Sequence, residues 1–201
     1  MFLLCPFLPT GGVWQRAANL GAAQPNEVRG IAFWIGIHGQ TLIKSFNGGA
    51  NATALANWLA SSFPKLYGAN AGGHNLTGAS NTQVAAFFQS VYASTQSPTT
   101  LDAEVLATAL NVYATTLSLG GTAGQAYGFQ VDSAGSGART CNVGSSGMAF
   151  GVANFTNENV LQLLTAANAN AVGGEPWGLN QLLRVEANMV FIGLNEMGTI
   201  A

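Results

Sequence analysis

Only six basic and eight acidic side chains are spread over 201 residues, a charged fraction of 7% against about 25% in ordinary soluble domains. Nothing else in the sequence limits the chain so strongly. The cations are Arg16, Arg29, Lys44, Lys65, Arg139 and Arg184. The anions are Glu27, Asp102, Glu104, Asp132, Glu158, Glu175, Glu186 and Glu196. Scattered cations with a net charge of −2 form no patch that could neutralise phosphates, so nucleic acid is not an expected partner. The same count argues against an anchor on anionic membranes. Asn, Thr, Ser, Gln and Gly must supply the polar surface. That composition suits an extracellular or cell-surface setting better than crowded cytosol, where net charge keeps proteins apart.

Hydrophobic residues make up 48% of the chain, enough for the core of one domain. No uncharged apolar run reaches the roughly 18–20 residues that span a bilayer. The uncharged stretch 140–157 is interrupted by Gly144, Gly147 and Gly151. Met1 to Leu8 is apolar, but no basic residue precedes it. It reads as a frayed or misassigned start rather than the remnant of a signal peptide.

Residues 1–29 read as a lead-in and 30–201 as one helical domain. A short helix is expected over 39–46, stopped by Asn47-Gly48-Gly49, and a second over 51–62, stopped by Pro64. Ser80 and Gln83 have capping-box spacing ahead of Val84, Phe87, Phe88, Val91 and Tyr92, the clearest amphipathic stripe in the chain. Pro98 and Thr99 or Thr100 open a helix whose broad apolar stripe runs from Leu101 to Leu117. Asp102 and Glu104 sit in its first turn, where the helix dipole favours anions. These two helices are expected to pair as a hairpin. Alternation at 129–131 and again at 140–143, around Ala134-Gly135-Ser136-Gly137, predicts a β-hairpin over about 128–144. Two more helices follow. One is capped by Thr156. The other spans 179–195, with Leu182, Leu183, Met189, Val190 and Leu194 facing inward. The expected fold is therefore mainly α, with five or six helices and one small β-hairpin.

Chemistry-bearing patterns are scarce. His38 and His74 have no Cys, Asp or Glu at ligand spacing, so no metal site or cofactor is expected. Asp132 opens a loop that turn chemistry explains. Gly144-Ser145-Ser146-Gly147 misses the nucleophile-elbow spacing by one residue. Cys141 in an alternating strand reads as a small buried hydrophobe. Whether it pairs with Cys5 is left open. Asp102 and Glu104, two apart on a helix, face different ways. Trp34 and Tyr67 are the candidate rings for stacking on a sugar, whereas Trp58 lies on an apolar face beside Leu55 and Leu59.

Phe33-Trp34, the run 39–45, Asn47-Gly48-Gly49, 53–60 and Phe63-Pro64-Lys65-Leu66-Tyr67-Gly68 resemble an uncharacterised helical domain of large predicted bacterial surface proteins. These occur in planctomycetes and related environmental bacteria, often beside serine-aspartate B-type adhesin repeats. The likeness extends through 101–110, 142–147 and 149–152 and covers roughly residues 30–195. The family pattern places Gly before the Phe-Trp pair and Lys-Asn after it, where this chain has Ala32 and Ile35-Gly36. The resemblance implies location and architecture and carries no active site. The expected function is a secreted or surface-displayed, non-catalytic structural or interaction module. Self-assembly and contact with other surface proteins are left open. The alternatives are a polysaccharide-binding module and a hydrolase whose site is assembled from distant Glu residues.

Overall fold

The computed structural model describes residues 21–94 and 100–197. Cys5, the Met1–Leu8 run and the Pro98-Thr99 helix start lie outside the described residues. The protein is mainly helical, with one two-stranded antiparallel sheet. Ten α-helical segments are present among the described residues, more than the expected five or six. The excess comes from short pieces cut from longer patterns, by Gly36, Pro64 and Thr116 among others.

The chain begins with α1 (Ile31–Ile35) and α2 (Ile37–Ser45). Gly36 separates them in an extended conformation. Gly39 then lies so close to α1 that a Cβ there would collide with Phe33 O and Trp34 Cα. α3 (Ala54–Ser62) ends at Phe63, and Pro64 starts a separate turn, α4 (Pro64–Tyr67), at the position where a missing N–H costs nothing. α5 (Asn81–Ser94) carries the expected capping box. Ser80 N donates to Gln83 Oε1 at 2.8 Å, and Gln83 N donates to Ser80 Oγ at 3.3 Å.

α6 (Leu101–Thr115) is the axis of the molecule. Every residue of it is buried except Asp102, which is half-buried. α1, α5, α9 and α10 all pack on it. It stops short of the expected Leu117. The Thr115 and Thr116 hydroxyls donate back to the carbonyls of Asn111 and Val112, each at 2.7 Å. Thr116 then turns extended and bridges Asp132, so Leu117 starts a new turn, α7 (Leu117–Gly120).

The expected hairpin over 128–144 does not form. Asp132 Oδ1 accepts the N–H groups of Ala134 and Gly135 at 2.8 and 2.6 Å. Ser136 is drawn into the core against Thr115. Phe129 turns inward beside Trp34. Strand β1 (Thr140–Asn142) therefore pairs instead with β2 (Asn157–Asn159), with Cys141 opposite Glu158. The turn α8 (Gly147–Phe150) fills the excursion between them. Next come α9 (Val160–Ala169) and α10 (Gln181–Met197). Asn159, not Thr156, caps α9, its side chain accepting from Leu161 N at 3.1 Å.

Residues 21–29, expected to belong to a lead-in, are built into the domain. Ala22 bridges Thr140, and Ala23, Glu27 and Val28 are buried. α10 keeps its expected orientation at Val190 and Leu194, and Leu183 packs against the core, but it departs from it at Leu182 and Met189. Ala187, Val190, Phe191 and Leu194 face the core, whereas Leu182 and Met189 are exposed.

Candidate contact surfaces

The few charges are largely engaged within the fold. Arg139 is held between Glu27 and Asp132. Its Nε donates to Glu27 Oε1 at 2.7 Å and its Nη2 to Asp132 Oδ2 at 3.1 Å. Arg184 donates to Asp102 Oδ2 at 2.9 Å and to Pro176 O at 2.7 Å. Arg29 donates to the carbonyls of Pro25, Val28, Tyr127 and Gly128, and its guanidinium sits 4.8 Å from the Phe129 ring centroid. Burial holds its pKa below the usual arginine value. Lys65 Nζ donates to Ala169 O at 2.8 Å.

A polar seam joins α6 to α10. The two helices run in the same direction, with Asn188 at Thr100 and Asn195 at Thr108. Asn195 Nδ2 donates to Glu104 Oε2 at 2.7 Å and to Glu104 O at 3.0 Å. Its Oδ1 lies 2.9 Å from Thr108 Oγ1 and accepts from Asn111 Nδ2 at 3.0 Å. Asn111 continues the seam. Its Nδ2 also donates to Arg29 O, and its Oδ1 accepts from Arg29 N and Trp34 Nε1. Both amides thus use all of their hydrogen-bonding capacity. Sequence reasoning missed them. The available signal was an amide placed inside an apolar helical stripe at Leu110-Asn111-Val112 and again at Leu194-Asn195.

Glu104 is 1% exposed. Burial pushes its pKa up to about 7. The Asn195 hydrogen bond opposes the rise, and the nearby Glu196 charge adds to it. A carboxyl poised near neutrality beside a second acid is what a general acid needs. This one is enclosed between packed helices, where no substrate reaches it, so its role is structural. No group of three or more metal-binding side chains occurs among the described residues. His38 is exposed on α2. His74 is half-buried, with Nδ1 3.1 Å from Gly174 O.

Trp34 and Tyr67, expected as a sugar-stacking pair, are both buried and lie in different ring clusters. Trp34 packs on Phe33 and Phe129, whereas Tyr67 packs on Phe63 and Phe87. Burial, reinforced by the Asp102 charge, raises the Tyr67 pKa well beyond its ordinary value. Their large apolar area is worth more in the core than at the surface. Trp58, half-buried, packs on Phe63 and Tyr113. Phe155 and Tyr92 are exposed, and the rings that reach solvent side by side are Phe33, Tyr127 and His38. They line an open depression of about 470 Å³ together with Ala126. Tyr127 stands edge-on to Phe33 and His38, at 6.3 and 6.0 Å between centroids.

The second exposed feature is apolar. Leu179, Leu182, Val185 and Met189 project from the start and outer face of α10, and Val172 lies next to them against Gly178. Comparison with known protein families, curated proteins and solved structures finds no match for this chain.

Proposed function

We propose that this protein is a non-catalytic structural or interaction module, secreted or displayed on a bacterial surface, that works by shape and contact. One observation carries the reading. The three described arginines, and the carboxylates of Glu27, Asp102, Glu104 and Asp132, are all engaged in holding the fold together. Apart from a few scattered charges such as Lys44, Lys65, Glu175 and Glu196, the outer surface is left to amides, hydroxyls and apolar side chains, which suit contact better than acid–base work. The low charge and the resemblance of residues 30–195 to a domain found beside adhesin repeats support the location. Protease shaving of intact producing cells tests it. The expected result is loss of the protein from unbroken cells. Its recovery intact and wholly in the cytosolic fraction would refute the reading.

A second reading, polysaccharide binding, is favoured by the depression at Phe33, Tyr127 and His38 rather than by Trp34 and Tyr67. Rings that reach solvent at a concave site can stack on sugar faces. Retention on insoluble chitin, cellulose and peptidoglycan tests it. Tyr127→Ala should lower retention about tenfold, as expected for the loss of roughly 1.4 kcal/mol. Equal retention of both proteins would dismiss this reading.

A further inference from the structure

Arg139 and Arg184 are paired with carboxylates, whereas half-buried Arg29 makes no ion pair among the described residues. Glu27, two residues before it, is taken by Arg139. Glu196 touches Gly30 without pairing with Arg29. The Nη hydrogens of Arg29 go instead to the carbonyls of Pro25, Val28, Tyr127 and Gly128. Carbonyl dipoles fix the guanidinium in place but carry no net charge, so its positive charge is left uncompensated. That charge stands beside the depression lined by Phe33, His38, Ala126 and Tyr127. Its central carbon is 5.9 Å from the Phe33 ring centroid, and Nη2 is 3.3 Å from Tyr127 O. No acidic side chain lines the depression. The Tyr127 hydroxyl and the His38 imidazole have no hydrogen-bond partner among the described residues, so both polar groups are available to a ligand.

We propose that this depression binds an acidic polysaccharide, with a sugar ring against Phe33 and Tyr127 and a sugar carboxylate on the Arg29 side. The inference rests on the polysaccharide reading above and gives it a ligand class. Three observations select that class. Ring surface next to free polar groups suits a sugar, which has an apolar face and a hydroxylated edge. The depression is open, so it admits a chain that continues past it, whereas a small-molecule site buries most of its ligand. An uncompensated cation with no acid in the lining favours an anionic sugar over a neutral one and disfavours an amine. Because its Nη hydrogens are already taken, Arg29 acts on the carboxylate through its field rather than through a fork of hydrogen bonds. The selectivity is correspondingly modest. One unit charge within a Debye length of a bound carboxylate changes affinity by about three- to tenfold.

Amide NMR titration of the isotope-labelled full chain tests the proposal, with a galacturonate oligomer as one ligand and its uncharged methyl ester as the other. The acid should shift the amides of Phe33, His38 and Tyr127. It should bind about three- to tenfold more tightly than the ester at about 0.01 M salt, and the gap should close at about 1 M, where the Debye length is about 3 Å. His38→Glu places an anion on an exposed position of the lining. It should weaken binding of the acid more than binding of the ester. Arg29→Gln should erase the gap. If that variant unfolds for want of its carbonyl contacts, His38→Glu carries the test alone. Equal affinity for acid and ester at low salt overturns the inference and leaves the polysaccharide reading standing. So does binding of the acid that His38→Glu leaves unchanged. Shifts with neither oligomer overturn the inference too, and retention on the insoluble polymers then decides the polysaccharide reading separately.

Discussion

Replacing Glu104 by Gln should convert a pH-dependent protein into a flatter one. The Glu104 carboxyl is 1% exposed, and it accepts a hydrogen bond from a neutral side chain, Asn195. Its pKa rises from 4.5 to about 7 on folding. The sign follows from proton occupancy. Between pH 4.5 and 7 the folded chain holds a proton there that the unfolded chain has released. Stability from this group is therefore full below pH 4.5, falls as pH rises, and is lost above pH 7. The slope is about 1.4 kcal/mol per pH unit, so the whole window is worth about 3 kcal/mol. Gln keeps an oxygen that can accept from Asn195 Nδ2 and has no charge to desolvate. Urea melts of both proteins at pH 5, 6, 7 and 8 supply the assay. The difference between them cancels every other titrating group. It should move by about 3 kcal/mol in favour of the variant from pH 5 to pH 8, equivalent to roughly 6–12 °C in Tm for a chain of this length. A difference that stays constant across the series would show that Glu104 titrates as an ordinary carboxylate, and would refute the argument from burial.

Three further perturbations probe other parts of the fold. Asn195→Ala strips partners from Glu104, Thr108 and Asn111 together. It should cost about 2–4 kcal/mol in chemical denaturation, more than a single hydrogen bond. Arg139→Met leaves the enclosed Glu27 carboxylate without its cation. A loss of about 3–5 kcal/mol at pH 7 is expected, again by urea titration. Gly39→Ala drives a methyl into the backbone of α1. Tm should fall by roughly 5–10 °C, corresponding to about 2–3 kcal/mol of overpacking.

The parts of the fold legible in the sequence are those decided locally. The Ser80–Gln83 capping box and the single apolar stripe behind it place α5 without reference to the rest of the chain. The stop after Ser45 is written in Asn47-Gly48-Gly49, with Asn47 in the left-handed region at φ 50°. Alternation at 140–142 identifies a strand, but alternation says nothing of its partner. That partner was decided by Asp132 closing a tight loop and Ser136 being drawn into the core. Glu104 read as a surface anion at a helix start because its burial depends on α10, some ninety residues further on. Trp34 and Tyr67 read as candidate platforms only because a lone aromatic gives no sign of which side faces water.

α10 is the most instructive failure, because its apolar residues cannot choose its orientation. Leu182, Val185 and Met189 form one stripe, and Ala187, Val190, Phe191 and Leu194 another. Either stripe could serve as a core face, since burying a large aliphatic side chain gains about 1.5–3 kcal/mol wherever it sits. The polar residues break the tie. Arg184, Asn188 and Asn195 lie on the inner side, each with a counterpart on or beside α6 at Asp102, Thr100 and Glu104. Rolling α10 outward would strand the α6 groups in the core, at about 1–3 kcal/mol for each unsatisfied polar atom and more for the carboxylates. That penalty exceeds what swapping one apolar stripe for the other could recover. The buried amides therefore set the register and rotation of the helix, and the apolar stripe left outside is a consequence of that choice.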